Sequence, residues 1–276
     1  MKPIISRTMK VQIQGEVRFF NFPKLNDLGF IKHGFSSRNG GVSKGHHQWM
    51  NLSFSNGDQR DRVLKNFQNF GDALGVELAS MVLSDQDHGV NIRTVEAEDR
   101  GKGIVKEKDY QGVDALITNK PGITLVTQHA DCAPIFVADA KNKAIAMIHS
   151  GWRGTRGEIA KKTVKKMEKE YGTKVKDLYV GIGPSIGPCC FEVEGDVLEE
   201  LQKIEAWKKQ DVIVQGKGKY RVDLWKLNKR MLHFIGVPND QIFVTDLCTK
   251  CHPDVFFSHR VHGNRRGSLA GIITII

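Results

Sequence analysis

The feature that most constrains the fold is a series of short apolar runs in the middle of the chain. Five of these runs, rich in β-branched residues, lie at 80–83, 115–118, 123–126, 135–138 and 144–148. Runs of four or five such residues are typical of buried β-strands and are too short for buried helices. A further apolar run occupies 269–276. The sequence therefore predicts a large sheet that includes a buried C-terminal strand.

Helical patterns lie on both sides of this region. Between residues 58 and 74 the apolar positions step by four, three and four residues, which places them on one helix face. Further helices are predicted over about 157–171, 195–209 and 223–235. Several strands follow one another too closely for a β-α-β alternation. We therefore predict an α+β fold, a single-domain α/β sandwich around a large mixed sheet, over residues 1–276.

Charge and composition narrow the classes of function. Lysine and arginine number 41 against 31 aspartate and glutamate, a formal net charge of +10 that favours an anionic partner. The basic residues are spread along the chain and aromatic residues make up only 8%, so a nucleic-acid-binding module is the weaker alternative. The sequence lacks an apolar run of membrane-spanning length and a signal-peptide pattern. A cytoplasmic protein with no membrane partner is predicted.

The cysteines form a poor disulfide framework. They number five, an odd count, and Cys189 and Cys190 are adjacent. Cys248 and Cys251 form a lone CxxC motif, and the adjacent pair has the wrong spacing for the other half of a zinc knuckle. We predict that these four cysteines are structural or packing residues.

Candidate metal-binding residues lie near the ends of three of the apolar runs. His88, Cys132 and His149 supply two imidazoles and one thiolate, an ordinary donor set for zinc. Three protein ligands leave one coordination position open, as in catalytic zinc sites. The separations of 44 and 17 residues match no simple zinc motif. From the residues alone, a buried free thiol with two hydrogen-bonded histidines stays open as the alternative.

Seven motifs in order resemble the YfiH/YlmD family, the laccase-domain or polyphenol-oxidoreductase-like group. They are HGFSSRNGGVS (33–43), DHG (87–89), DALIT (114–118), ADCAPI (130–135), HSGWRG (149–154), GIGPSIGPCCFEV (181–193) and FFSHR (256–260). The resemblance covers about residues 30–276, so the N-terminal strands, about 1–29, are less covered. It implies a laccase-domain fold and a zinc ion, or alternatively copper, held by His88, Cys132 and His149.

The resemblance also implies an enzymatic activity. The implied enzyme is a zinc-dependent purine nucleoside phosphorylase acting on adenosine, inosine and methylthioadenosine, with an adenosine deaminase side activity. Its partners are then a small nucleoside and inorganic phosphate, and the oligomeric state is left open. A copper-dependent polyphenol oxidase and a cysteine- or zinc-dependent amidase acting on a peptidoglycan precursor remain alternatives. In a cysteine-dependent amidase, Cys132 beside His149 acts as the nucleophile.

Phosphorolysis needs an anion site and a nucleoside pocket. Arg38, in a glycine-rich loop, and Arg153, at a predicted helix start, are the predicted phosphate contacts. Arg38 is also predicted to be catalytic, together with Cys132 and His149. The remaining predicted substrate contacts are Asn51, Asp114 and Arg260.

Overall fold

The fold consists of strands and helices in a mixed order, seen in a computed structural model that describes residues 4–216 and 218–276. The strands are β1 (Lys10–Gln14), β2 (Val17–Asn21), β3 (Ile31–Ser36), β4 (Met81–Leu83), β5 (Ile92–Thr94), β6 (Ala115–Thr118), β7 (Thr124–His129), β8 (Ala133–Asp139), β9 (Ala144–Ser150), β10 (Leu178–Ile182), β11 (Glu192–Val193), β12 (Val212–Gly216), β13 (Lys219–Val222), β14 (Ile242–Val244) and β15 (Leu269–Ile275). The helices are α1 (Pro23–Asn26), α2 (Arg60–Leu74), α3 (Trp152–Arg156), α4 (Ile159–Tyr171), α5 (Gly195–Gln202), α6 (Leu224–Phe234) and α7 (His259–His262).

Most strands lie in two six-stranded mixed sheets. The first sheet has the order β1-β2-β3-β15-β7-β4, and the second has the order β14-β10-β8-β9-β6-β5. Parallel pairing occurs at the outer strands β4, β5 and β14, and the other pairs in these two sheets are antiparallel. A third, small sheet has the order β11-β13-β12. The α+β sandwich class is confirmed, and its strands are divided between two large sheets.

The main core fills the space between the two large sheets. Phe35 and Leu125 of the first sheet cluster with Phe136 and Met147 of the second, and all four side chains are fully buried. Every residue of β8 and β9 is buried. Strands buried on both faces carry continuous apolar sequence in place of alternation. This explains why the central runs of the sequence are uninterrupted.

Helices cover the outer faces of the sheets. On the first sheet, α2 buries Val63, Phe67 and Phe70, and on the second sheet α4 and α6 bury Ile159 and Leu232. The layers therefore run helix, sheet, sheet, helix. Within the described part of the chain, no helix combines the length and apolar character that a membrane crossing needs.

The helix predictions hold with one difference. The helix predicted over 195–209 ends at Gln202. Ile204 and Trp207 still pack into the core beyond it, but in turns in which the Trp207 N–H donates to the Ile204 carbonyl. The apolar spacing indicated burial correctly, and helical hydrogen bonding stops earlier than the burial does.

Candidate active site

Three segments drawn from both large sheets meet at one point. His88 lies in the loop after β4, Cys132 in the turn between β7 and β8, and His149 near the end of β9. Because β7 and β8 belong to different sheets, the turn that carries Cys132 passes from one sheet to the other. The ligand atoms of these three residues all lie within 4.8 Å of one another. The fold thus brings together the three predicted ligands.

Asp114, directly before β6, positions two of these side chains. Its Oδ1 lies 2.7 Å from His149 Nδ1. The other ring nitrogen of His149, Nε2, is therefore the one that can bind a metal. The Asp114 Oδ2 accepts hydrogen bonds from the backbone N–H groups of Asp87 and Gly89 at 3.2 and 2.9 Å. Since these residues flank His88, the fully buried Asp114 carboxylate fixes the loop of one ligand and the ring of another.

The backbone at the site has an unusual conformation and is closely packed. His88 and Asp131 have left-handed φ values of 65° and 85°, which is uncommon for residues other than glycine. A Cβ atom at Gly151 would lie 2.8 Å from Cys132 Sγ and 3.2 Å from His88 Nδ1. Gly151 therefore provides the space in which these two ligand atoms sit.

The electrostatics favour an ionised sulfur. Burial opposes ionisation of the Cys132 thiol, but the His149 and His88 imidazoles outweigh it and lower the pKa of Cys132 to about 6. Burial also opposes protonation of His149, but Cys132 and the Asp114 carboxylate raise the pKa of His149 to about 9. At neutral pH the pair is therefore a thiolate and an imidazolium, and a metal that binds the thiolate and His149 displaces the imidazolium proton.

The donor set fits a zinc ion. Tetrahedral zinc, with bonds of about 2.0–2.1 Å to nitrogen and about 2.3 Å to sulfur, separates neighbouring ligand atoms by about 3.3–3.6 Å. His88 Nδ1 and Cys132 Sγ are 4.0 Å apart, close to that separation. A carboxylate on the outer nitrogen of a ligating histidine, as in Asp114–His149, is the usual support of zinc sites. Copper accepts similar donors, so the geometry fits a metal without selecting between the two.

A pocket with a volume of about 360 Å³ opens beside this cluster, and His88 and Cys132 form part of its wall. Besides His88, its cationic and imidazole residues are Arg153, His259, Arg260 and Arg266, and its one acidic residue among those described is Asp131. Its apolar residues include Trp152, Ile186, Phe191 and Leu224. Pockets for small ligands usually measure about 300–1,000 Å³. The pocket is therefore large enough for a small ligand that has an anionic part and an apolar part.

Two of the predicted substrate contacts lie away from this pocket. The Nε and Nη2 of Arg38 donate to the Gln48 carbonyl, and its Nη1 donates to the Pro253 carbonyl at 2.7 Å. Asn51 is fully buried and donates from Nδ2 to Asp58 Oδ2 at 2.9 Å. In this structure both side chains hold loops together, and the predicted substrate roles of Arg38 and Asn51, with the catalytic role of Arg38, stay predictions. Arg153 and Arg260 line the pocket, and Asp114 lies behind the ligands.

Sequence reasoning missed Asp131 as a site residue. Its Oδ2 accepts from the Arg260 N–H at 2.7 Å and from the Ser258 hydroxyl at 3.0 Å, and its Oδ1 accepts from the Thr249 hydroxyl at 2.6 Å. Asp131 thus fastens the segment that carries Arg260 to the turn that carries Cys132. Its place beside Cys132 in the ADCAPI motif was the available signal.

His259 and Arg266 were missed as well. His259 stands in the FFSHR motif next to Arg260, so that motif gave some indication. Arg266 donates from Nη1 to the Gly267 carbonyl and to Ser268 Oγ, both at 3.2 Å. Burial lowers the pKa of Arg266. No sequence pattern distinguished it from its neighbour Arg265.

A larger groove, with a volume of about 1080 Å³, lies elsewhere and is bordered by Asp85, Lys108 and Tyr110. Lys108 is paired with Asp85, and the Tyr110 hydroxyl donates to the Leu83 carbonyl at 2.6 Å. These polar groups are already engaged with one another or with backbone. We therefore place the candidate site at the smaller pocket, where ionised ligands and cationic side chains meet.

Comparisons with known proteins agree on the family. Residues 32–276 match the family described as multi-copper polyphenol oxidoreductase laccase. A purine nucleoside phosphorylase of Bacteroides thetaiotaomicron is 34% identical over 267 residues, which cover 95% of this chain and 98% of the relative. Adenosine deaminase RL5, from an unknown prokaryotic organism, is 34% identical over 88% of this chain and 96% of its own. The crystal structure of the Bacillus licheniformis hypothetical protein YfiH matches with a TM-score of 0.91 at 28% identity, covering 96% and 99% of the two chains.

Proposed function

This chain belongs to the laccase-domain family of YfiH and YlmD, and we propose that it is a zinc-dependent purine nucleoside phosphorylase. The proposed substrates are adenosine, inosine and methylthioadenosine, which inorganic phosphate converts into a free base and a sugar 1-phosphate. The observation that carries the proposal is the position of the His88, Cys132 and His149 cluster at the wall of a pocket rimmed by arginines. The similarity to a purine nucleoside phosphorylase and to an adenosine deaminase supports a function in nucleoside processing.

The arginines of the pocket are the proposed binding site for phosphate. Arg153, Arg260 and Arg266 border the pocket, and guanidinium groups bind phosphate oxygens with two parallel hydrogen bonds. In the reaction a phosphate oxygen bonds to the anomeric carbon while the bond from that carbon to purine N9 breaks, and the electron pair goes to the base. Arginines that hold the phosphate next to the sugar lower the barrier by positioning and by electrostatic stabilisation.

The apolar wall provides for the purine. Trp152 and Phe191 are the large aromatic residues of the pocket, and Ile186 and Leu224 extend the same wall. The Arg153 guanidinium lies 4.4 Å from the centre of the Trp152 ring, so the indole joins the apolar and cationic parts of the pocket. We propose that the base packs on this wall and that the phosphate meets the arginines.

His88, Cys132 and His149 are the proposed zinc ligands. When bound by three protein ligands, zinc supplies Lewis-acid polarisation and keeps a fourth coordination position for water or substrate. The chain's own residues prepare this site. Asp114 holds the orientation of the His149 ring, and Gly151 leaves room for the sulfur of Cys132.

The test is phosphate-dependent release of base from adenosine by the wild-type protein and by Cys132→Ala. We expect the variant to lose its zinc and at least about a hundredfold in rate, a barrier increase of about 2.7 kcal/mol. Circular dichroism checks that the variant is folded. Wild-type protein that releases no base, or a Cys132→Ala protein that keeps the full rate, would contradict the proposal.

Adenosine deamination is the second candidate, favoured by the 34% identity to adenosine deaminase RL5. Deamination releases ammonia without consuming phosphate, so the same assay run without phosphate distinguishes it from phosphorolysis. Metal analysis of the protein decides between zinc and copper. The polyphenol-oxidase and amidase alternatives predict neither free base nor ammonia from adenosine.

A further inference from the structure

A second group of metal-ligating side chains lies outside the residues that line the pocket. We call it the four-cysteine cluster: Cys189, Cys190, Cys248 and Cys251. Its sulfur atoms all lie within 4.8 Å of one another. The sequence suggested structural or packing residues, because adjacent cysteines do not form a zinc knuckle. A β-bridge between Ser185 and Cys248 brings the two loops together, so the fold assembles a set that sequence spacing does not indicate.

The distances between the sulfurs suit a bound ion. Cys251 Sγ lies 3.5 Å from both Cys189 Sγ and Cys190 Sγ, and all of these cysteines are free thiols. A disulfide requires sulfur atoms about 2.05 Å apart. Four thiolates around zinc, each about 2.3 Å from the ion, lie about 3.8 Å from one another. The two separations of 3.5 Å are close to the edge of a zinc tetrahedron, and the other sulfur pairs are at most 4.8 Å apart.

The backbone also supports an ionised sulfur in the cluster. The Gly187 N–H donates to Cys248 Sγ at 3.2 Å, and Cys248 is 4% exposed. Backbone N–H bonds to sulfur stabilise the thiolate form and orient metal ligands. Cys189 and Cys251 are exposed, so an ion has access to the cluster from solvent.

We propose that the four-cysteine cluster binds one zinc ion in a closed structural site, separate from the site at His88, Cys132 and His149. Four thiolates complete the tetrahedral coordination of zinc and leave no position for substrate, in contrast to the three-ligand site. Soft sulfur donors in a tetrahedral arrangement select zinc over the harder divalent ions.

This second zinc stabilises one wall of the pocket. Ile186 and Phe191 line the pocket and flank the adjacent cysteine pair. The Ile186 N–H donates to the Asp131 carbonyl at 2.9 Å, and the Thr249 hydroxyl, inside the CxxC segment, donates to Asp131 Oδ1 at 2.6 Å. A metal that joins the two loops thus holds two of the hydrogen-bond partners of Asp131, beside Cys132. Its role is positioning, and its removal loosens the pocket without removing a pocket residue.

The first experiment counts zinc in protein purified with zinc and without chelator. We expect two zinc ions per chain in the wild type, one in Cys132→Ala, one in the double variant Cys248→Ser with Cys251→Ser, and none in the combination of all three. Lys250→Ser, between the two cysteines of the motif, is the matched control and keeps both ions. A Cys132→Ala protein that holds no zinc, or iron in place of zinc, would overturn the proposal.

The second experiment reads the ligands directly and does not depend on catalysis. Cobalt-loaded Cys132→Ala protein should show the thiolate-to-cobalt charge-transfer absorption of a tetrahedral four-sulfur site, and Cys251→Ser should weaken it by at least a quarter. Because Cys251 is exposed, its replacement by serine leaves the fold intact, which circular dichroism verifies. The site fails if the absorption is absent from folded Cys132→Ala, or if mass spectrometry finds a disulfide within the cluster. Either result is independent of whether adenosine is cleaved.

Discussion

At the residue scale, the side chains and loops of the candidate site are positioned by hydrogen bonds to two aspartates. Asp114 fixes His149 and the loop of His88, and Asp131 fixes the segment of Arg260. Asp114 was predicted as a substrate contact, and neither supporting role was predictable, because hydrogen bonds between distant segments leave no spacing in a sequence. The supports are as informative as the ligands, since they restrain the His149 ring and the loop that carries His88.

Gly151→Ala tests how closely the cluster is packed. The new Cβ would lie 2.8 Å from Cys132 Sγ, closer than atoms in contact normally come, so the sulfur must move. We expect zinc affinity to fall about 10- to 100-fold, the range seen when the support of a ligand is disturbed. Competition with a chelator measures the affinity. Gly195→Ala is the control, because a Cβ there has no neighbour within 4 Å among the described residues, and equal affinity in both variants would refute the argument.

His33 makes a separate prediction about stability and pH. It is 2% exposed, its Nε2 accepts the Phe22 N–H at 2.9 Å, and burial lowers its pKa from 6.5 to about 3. Between these values the unfolded chain binds a proton that the folded chain excludes, so the free energy of unfolding falls as the pH decreases below 6.5. The limiting slope is about 1.4 kcal/mol per pH unit.

The measurement is urea unfolding of wild type and His33→Gln, in which glutamine keeps an acceptor for the Phe22 N–H. From about pH 7 to pH 5 the wild type should lose about 2 kcal/mol more than the variant. Other titrating groups are common to both proteins and cancel in the difference. Parallel curves would show that His33 does not titrate in this way.

At the element scale, periodicity predicted position better than length. The spacing of four, three and four identified α2, whose cap Gly75 has a left-handed φ of 65°. The apolar runs identified the central strands and β15. By contrast, the helix predicted to reach residue 209 ends at Gln202, because Ile204 and Trp207 pack through turns. A pattern of burial records which residues face the core and does not record which backbone hydrogen bonds place them there.

The start of α6 has a side-chain cap. Asp223, directly before the helix, accepts the Lys226 N–H at 2.9 Å. Asp223→Ala should lower the free energy of unfolding by about 1 kcal/mol, the usual value of such a cap. Asp223→Asn should retain most of the stability, because asparagine caps helices equally well. If Asn and Ala variants lose the same amount in chemical unfolding, the charge of Asp223 contributes and the cap does not.

At the scale of the whole molecule, the sequence indicated the classes of element but not their convergence. His88, Cys132 and His149 are brought together because β7 and β8 lie in different sheets. From the residues alone, a free thiol beside two hydrogen-bonded histidines was an open interpretation. The resemblance supplied this ligand set, whereas the contacts of Arg38 and the grouping of the four cysteines emerged only from the fold. The single-domain assignment of residues 1–276 stays a prediction.

The chain has a net charge of +10, so phosphate could bind either in the pocket or through the overall positive charge of the protein. A ligand that binds only the folded protein stabilises it, by about 2.7 kcal/mol at a hundred times its dissociation constant. Inorganic phosphate should therefore raise the melting temperature by several degrees relative to chloride at equal ionic strength.

Variants of two neighbouring arginines can distinguish phosphate binding in the pocket from phosphate binding by the overall positive charge. Arg266 lines the pocket, and Arg265 is exposed outside the residues that line it. Arg266→Met and Arg265→Met have the same net charge, so a general attraction for phosphate weakens equally in both. A site in the pocket predicts that Arg266→Met loses most of the thermal shift and that Arg265→Met keeps it. Equal losses would assign phosphate binding to the charge of the whole chain and would remove the anion site on which phosphorolysis depends.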